Sequence, residues 1–92
     1  MHDIEKIRAI PLGRILKMKE GREYSIRCVF PNHNDNSPSL RIYRNNGYHC
    51  FGCGANGQNA IDFALHVNGC VDPRKAMPQE VKRAIEDLID YL

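Results

Sequence analysis

Cys28 and His33, separated by four residues, and Cys50 and Cys53, separated by two, form two pairs of soft or borderline ligands with sixteen residues between them. Tetrahedral Zn²⁺ is held by such pairs. A short spacing lets one backbone turn aim two side chains at one ion, and an intervening hairpin brings two such turns together. Four protein ligands would leave the ion no open position for a substrate, so its role would be structural. Two other readings use the same residues. Cys50-Phe-Gly-Cys53 has the spacing of a redox pair, although the βαβ context of a thioredoxin-like site is missing, and Cys28 could be an inert buried thiol. Strand alternation turns His49 away from any ion that Cys50 faces. His2 near the terminus and His66 on a helix read as ordinary histidines, and Cys70 as a small apolar filler.

These residues need elements to position them. Asp3 is placed to cap a first helix in which Ile4, Ile7 and Ile10 share a stripe, interrupted at Pro11. Leu12, Ile15, Leu16 and Met18 predict a further turn or two, closed by Lys17, Lys19 and the turn residue Gly21. Tyr24 to Cys28 alternates, with Tyr24, Ile26 and Cys28 on one face and Ser25 and Arg27 on the other, which predicts a strand. The stretch from Pro31 to Pro38 is dense in turn formers. Ser39 to Arg44 alternates again, with Leu40 and Ile42 inward and Arg41 and Tyr43 outward. Asn45-Asn46-Gly47 is a hairpin signal, and Tyr48 to Phe51 is the return strand that delivers Cys50. Gly52, Gly54 and Gly57 suit a backbone curled close to an ion. Asn59 and Asp62 predict a capped helix through Val67 that ends at Asn68-Gly69. Asp72-Pro73 suits one further turn, and Pro78 opens a last helix with Val81, Ile85, Leu88, Ile89 and Leu92 at helical spacing.

A chain of 92 residues buries little apolar surface, and a structural metal would compensate. Residues 1–53 carry nine Lys or Arg against five Asp or Glu, and residues 54–92 four against six, so positive charge accompanies the metal half. That asymmetry suits a polyanionic partner but equally describes a normally solvated surface. No apolar run reaches the length of a membrane span and no secretion signal opens the chain, so a cytoplasmic protein without membrane contact is expected, its cysteines reduced or metal-bound. No repeat or low-complexity tail is present. Arg27, Arg41, Tyr43, Arg44 and Tyr48 are expected on the outward sheet face, cations for phosphates beside rings on which bases stack. The alternative for Tyr43 and Tyr48 is a cross-strand pair that stabilises the hairpin.

The runs His33-Asn-Asp-Asn-Ser-Pro-Ser-Leu40, Tyr48-His-Cys-Phe-Gly-Cys-Gly-Ala55 and Ala60-Ile-Asp-Phe63 resemble the N-terminal zinc-binding domain of bacterial DnaG-type DNA primases. The resemblance covers nearly the whole chain. It implies a Cys-His-Cys-Cys zinc ribbon with Cys28, His33, Cys50 and Cys53 as ligands to one structural zinc. The family usually has two residues between its first Cys and its His, so the four found here imply a differently shaped first knuckle. It further implies a non-catalytic module that contacts single-stranded DNA template in replication, while synthesis belongs to a separate metal-dependent polymerase domain. Asp62, Asp72, Asp87 and Asp90 form no clustered site for two-metal nucleotidyl transfer, so this chain is not expected to synthesise primers alone.

The expected structure is therefore a small α+β zinc ribbon, residues 1–92 as a single domain. A helical lead-in (1–21) precedes the ribbon (22–57), whose three-stranded antiparallel sheet is supported by helices in 58–92. The expected function is single-stranded DNA binding in replication priming, alongside a primase polymerase domain or another replication protein. A reading of a different class is a zinc-stabilised interaction module that docks a partner through its C-terminal helix and binds no nucleic acid.

Overall fold

A computed structural model describes residues 3–31 and 38–92. The chain opens with α1 (Ile4–Arg8), whose N-terminus is capped by the Asp3 carboxylate accepting the Glu5 N–H at 2.9 Å. Pro11 cannot continue a helix, and a second short helix, α2 (Leu12–Ile15), starts just after it. Ile7, Ile10 and Leu12 are buried, whereas Ile4 is exposed, so the expected stripe is kept on two of its three residues. The second helix stops earlier than Gly21: Lys17 takes the left-handed conformation at φ 59°, and the Met18 N–H bonds the Gly13 carbonyl at 2.7 Å.

One antiparallel sheet follows in the order β1 (Tyr24–Ile26), β2 (Leu40–Ile42), β3 (Tyr48–Cys50) and β4 (Asn56–Gly57). The α+β class is as expected, but among the described residues the sheet has four strands and not three. The added strand is invisible to hydrophobic patterning because Asn56 and Gly57 pair with His49 and Tyr48 through backbone alone. Gly57 is required there: a Cβ would lie 2.6 Å from the Tyr48 hydroxyl and 2.7 Å from Asp62 Cβ.

The β2–β3 turn is built as its residues predict. Asn46 sits at φ 75°, and Asn45 Oδ1 accepts the Gly47 N–H at 3.0 Å. Asn46 has a second task. Its side chain accepts the Leu12 N–H and donates to the Ile10 carbonyl, each at 2.8 Å, which fastens the hairpin to the Pro11 corner.

Period-2 alternation decides which residues the sheet buries. Leu40, Ile42, Tyr48 and Cys50 point to one face and are 2% exposed or less. Against that face lies α3 (Ala60–Val67), capped by Asn59 accepting the Asp62 N–H at 3.0 Å, with Phe63 and Leu65 buried. A turn of 3-10 helix at Pro73–Lys75, capped by Asp72, leads to α4 (Pro78–Ile89), which packs Ala84 and Leu88 onto α3.

The expectation that Tyr48 lies on the outward face is overturned. Its phenol is 2% exposed and its hydroxyl is 2.6 Å from His66 Nδ1. The reason is parity: Tyr48 and Cys50 are two residues apart on one strand, so a chain that turns Cys50 inward turns Tyr48 inward too. Tyr48 stands opposite Ile42, and Tyr43 opposite Gly47, so the two tyrosines are no cross-strand pair either. Phe30, Tyr48 and Phe63 instead form a ring cluster with centroids 5.3–5.8 Å apart, and Phe30 meets the His66 ring at 5.2 Å. Burial pushes the Tyr48 phenol up and the His66 imidazole down, so both are neutral and a neutral hydrogen bond links β3 to α3.

Replacing Tyr48 by Phe keeps the ring and deletes the hydroxyl, leaving a buried imidazole nitrogen without its partner. The expected cost is about 1–3 kcal/mol, read as a lower denaturant midpoint at unchanged slope for the zinc-loaded protein.

Candidate metal centre

Three of the four expected ligands converge. The sulfurs of Cys28, Cys50 and Cys53 all lie within 4.8 Å of one another, and Cys28 Sγ is 4.0 Å from Cys53 Sγ. With Zn–S bonds of about 2.3 Å, two corners of a tetrahedron stand about 3.8 Å apart, so the three thiols fit three corners around one zinc. The fourth expected ligand, His33, lies outside the described residues, as does most of the loop from Pro31 to Pro38.

Each sulfur is delivered by a different device. Cys28 continues the inward face of β1 two residues beyond Ile26 and is half-buried. Its neighbour Phe30 anchors the turn in the core at 5% exposure, and the Phe30 backbone hydrogen-bonds the Cys28 sulfur. Cys50 ends β3 and is fully buried. After it the chain curls back: the Gly54 N–H bonds the Cys50 carbonyl and the Cys50 N–H the Ala55 carbonyl, both at 2.8 Å, with Gly54 at φ 81°. This curl sends Cys53 to the surface beside the other two, where it is exposed.

The electrostatics fit a cation. Burial raises the Cys50 thiol, but backbone N–H groups of Cys53 and Gly52 together with hydrogen bonds from the Cys53 and Cys28 thiols outweigh burial and favour the thiolate. Cys28 is pushed up to about 12, first by burial and further by the neighbouring thiols Cys50 and Cys53. Three thiols crowded this closely repel one another once ionised, and a divalent ion removes the repulsion. Cys70 stays outside this group, donating its S–H to the Asp72 carbonyl at 3.4 Å. His49 also stays outside, on the opposite face of β3.

The other expected site residues divide between the surface and the core. Arg41, at the centre of β2, is paired across the ladder with His49. Its guanidinium contacts Glu23 at 2.7 Å and Ser25 Oγ at 3.0 Å. Arg27 and Arg44 are exposed and Tyr43 is half-buried, while Tyr48 belongs to the core. In its place the surface carries a ring pair the sequence reading passed over. His49 and Phe51 have centroids 4.5 Å apart at 36°, and Phe51 is 70% exposed. Their signal was available, since both have the parity opposite to Cys50. A second open face also exists: Ala76, Pro78, Val81, Ile85 and Ile89 line an apolar groove along α4.

Substituting Cys50 by Ser removes the buried sulfur and should abolish zinc retention. Because metal binding in small zinc modules is worth roughly 10–16 kcal/mol, the expected result is an unfolded chain, checked by metal content per mole and by circular dichroism. A zinc-free Cys50→Ser or Cys53→Ser protein with the native spectrum would contradict a structural metal.

Comparison with known proteins joins these observations. The profile of the family described as CHC2 zinc finger, the zinc ribbon of DnaG, matches residues 2–88. The DNA primase of Salmonella typhimurium is 46% identical over 59 residues, covering 60% of this chain and 9% of that protein. The DNA primase of Escherichia coli K12 is 44% identical over 60 residues, 61% of this chain and 9% of the relative. That of Chlamydia trachomatis is 38% identical over 60 residues, 63% of this chain and 10% of the relative. The chain thus spans about a tenth of the length of the relatives it matches. No solved structure matches significantly. With three thiols gathered for one zinc and the family profile running almost end to end, the chain belongs to the CHC2 zinc-finger family of DnaG-type DNA primases.

Proposed function

We propose that this chain is a template-binding module: one zinc held by Cys28, His33, Cys50 and Cys53 fixes the sheet, and the outer sheet face lies along single-stranded DNA. Bound zinc supplies rigidity and no reaction step, because its four positions are taken by protein. Primer synthesis is assigned to a polymerase region beyond the tenth of the primase that this chain resembles. In this reading the chain acts in replication priming and is not an enzyme by itself.

The observation that carries the reading is the division of labour across β2 and β3. Inward residues are all core or thiol, and outward residues are Arg41, Tyr43, His49 and, just past the strand, Phe51. Arg27 and Arg44 flank that surface. Cations track phosphates, and the His49–Phe51 pair offers a ring on which a base can stack without regard to its identity. The family membership favours the same partner.

The α4 groove supports a second reading, docking of a protein partner. Leu88 does not test it, since at 1% exposure it is core and its substitution would unfold the domain. Ile89, at the edge of the groove, is the informative position.

Labelled single-stranded and duplex DNA titrated with zinc-loaded protein over a salt series should reveal a single-strand preference. Log affinity should fall with log salt by about 0.7 per phosphate neutralised. Charge reversal at Arg41 and Arg44 should abolish binding, and Phe51→Ala should weaken it by about 1–3 kcal/mol while Ile89→Asp leaves it unchanged. Retained binding in the charge-reversed protein would move the DNA off this face.

A further inference from the structure

The arginines of the outer face are not equally available. Arg41 reaches across β1, its Nη2 lying 2.7 Å from Glu23 Oε1 and its Nη1 3.0 Å from Ser25 Oγ. Glu23 directly precedes β1, and the backbone and positive charge of Arg44 add to the pull of Arg41 on its carboxylate. The Arg41 hydrogen bond above all, then the Arg44 backbone and both cationic charges, hold the Glu23 carboxyl below its usual range against the opposing effect of burial. The Arg41 and Glu23 side chains remain 37% and 39% exposed, so solutes reach the pair. The Arg41 guanidinium, steadied by the Ser25 hydroxyl that accepts its Nη1, thus holds one anion at a solvent-facing point.

A carboxylate and a phosphodiester offer a guanidinium fork the same target, two oxygens sharing negative charge. We propose that Arg41, braced by the Ser25 hydroxyl, forms a seat for one phosphate of a nucleic-acid strand, and that Glu23 is a built-in competitor occupying that seat. The inference rests on the template-binding reading. An exposed ion pair contributes little to stability, so an incoming phosphate displaces Glu23 at small cost. Glu23 is tethered, however, and its effective concentration is far above that of a free anion. A lone phosphate or nucleotide therefore loses to it. A strand that simultaneously engages Arg27, Arg44 and the His49–Phe51 rings wins, so Glu23 sets a threshold in favour of polymer over monomer.

The test compares wild type with Glu23→Gln, which keeps shape and removes charge, and with Glu5→Gln, the same charge change on α1 away from the sheet. Oligothymidylate binding is followed by fluorescence anisotropy over a potassium chloride series, with zinc content and circular dichroism confirming the fold. Glu23→Gln should bind roughly two- to fivefold more tightly at the lowest salt and steepen the salt slope by about 0.7, one further phosphate. Glu5→Gln should do neither, and Glu23→Gln should have no effect in an Arg41→Gln background. Glu23→Ala, reaching the same uncharged state by another side chain, should shift affinity in the same direction. A silent wild type with a binding Glu23→Gln protein would also support the seat. Wild-type binding that Glu23→Gln leaves unchanged or weakens overturns the seat while leaving the DNA reading intact, as does equal tightening by Glu5→Gln. No binding by any variant overturns both.

Discussion

The structure depends on one geometric demand, that a single ion be met by sulfurs from two separate turns. Cys28 comes from the end of β1, and Cys50 with Cys53 from the end of β3, two strands that do not touch each other in the sheet. Joining them through a metal fixes the Leu40 end of β2 between them. In a domain of this size such a staple replaces core: binding worth roughly 10–16 kcal/mol is comparable to the entire stability of a typical domain. The protein core grows from the same point. Phe30, two residues after Cys28, and Tyr48, two before Cys50, meet in the ring cluster beside Phe63 and His66.

Because side chains alternate along a strand, fixing Cys50 fixes everything else on β3. Tyr48 must go inward with it, His49 must go outward, and the ladder then sets Arg41 opposite His49. The metal centre and the proposed nucleic-acid face are therefore two sides of the same three residues. Neither can be displaced without the other, which is how a structural ion on one face governs what the other face presents.

The same alternation explains what could be read from the chain beforehand. The thiols, the Asn45-Asn46-Gly47 turn, the Asn59 and Asp72 caps and the Pro78 helix start are local signals, each set by residues within a few positions, and each reappears in the structure. Tyr48 was misplaced because its type suggested stacking while its parity demanded burial; parity prevailed, as a phenol with a buried imidazole partner is at home in a core. The fourth strand was missed because it has no side-chain pattern, only a backbone edge and a glycine that clears Tyr48. The bonds of Asn46 to Ile10 and Leu12, and of Arg41 to Glu23, span 36, 34 and 18 positions and carry no local mark at all.

The most direct test of the account is X-ray absorption at the zinc edge of the purified protein. A Cys28, His33, Cys50 and Cys53 site predicts three sulfurs at about 2.3 Å and one nitrogen at about 2.0–2.1 Å around each zinc. A four-sulfur shell would mean that Cys70 is recruited in place of His33. Two sulfurs and two nitrogens would mean that one thiol of the cluster is not a ligand, and either outcome would contradict the arrangement on which the sheet and its outer face are argued to rest.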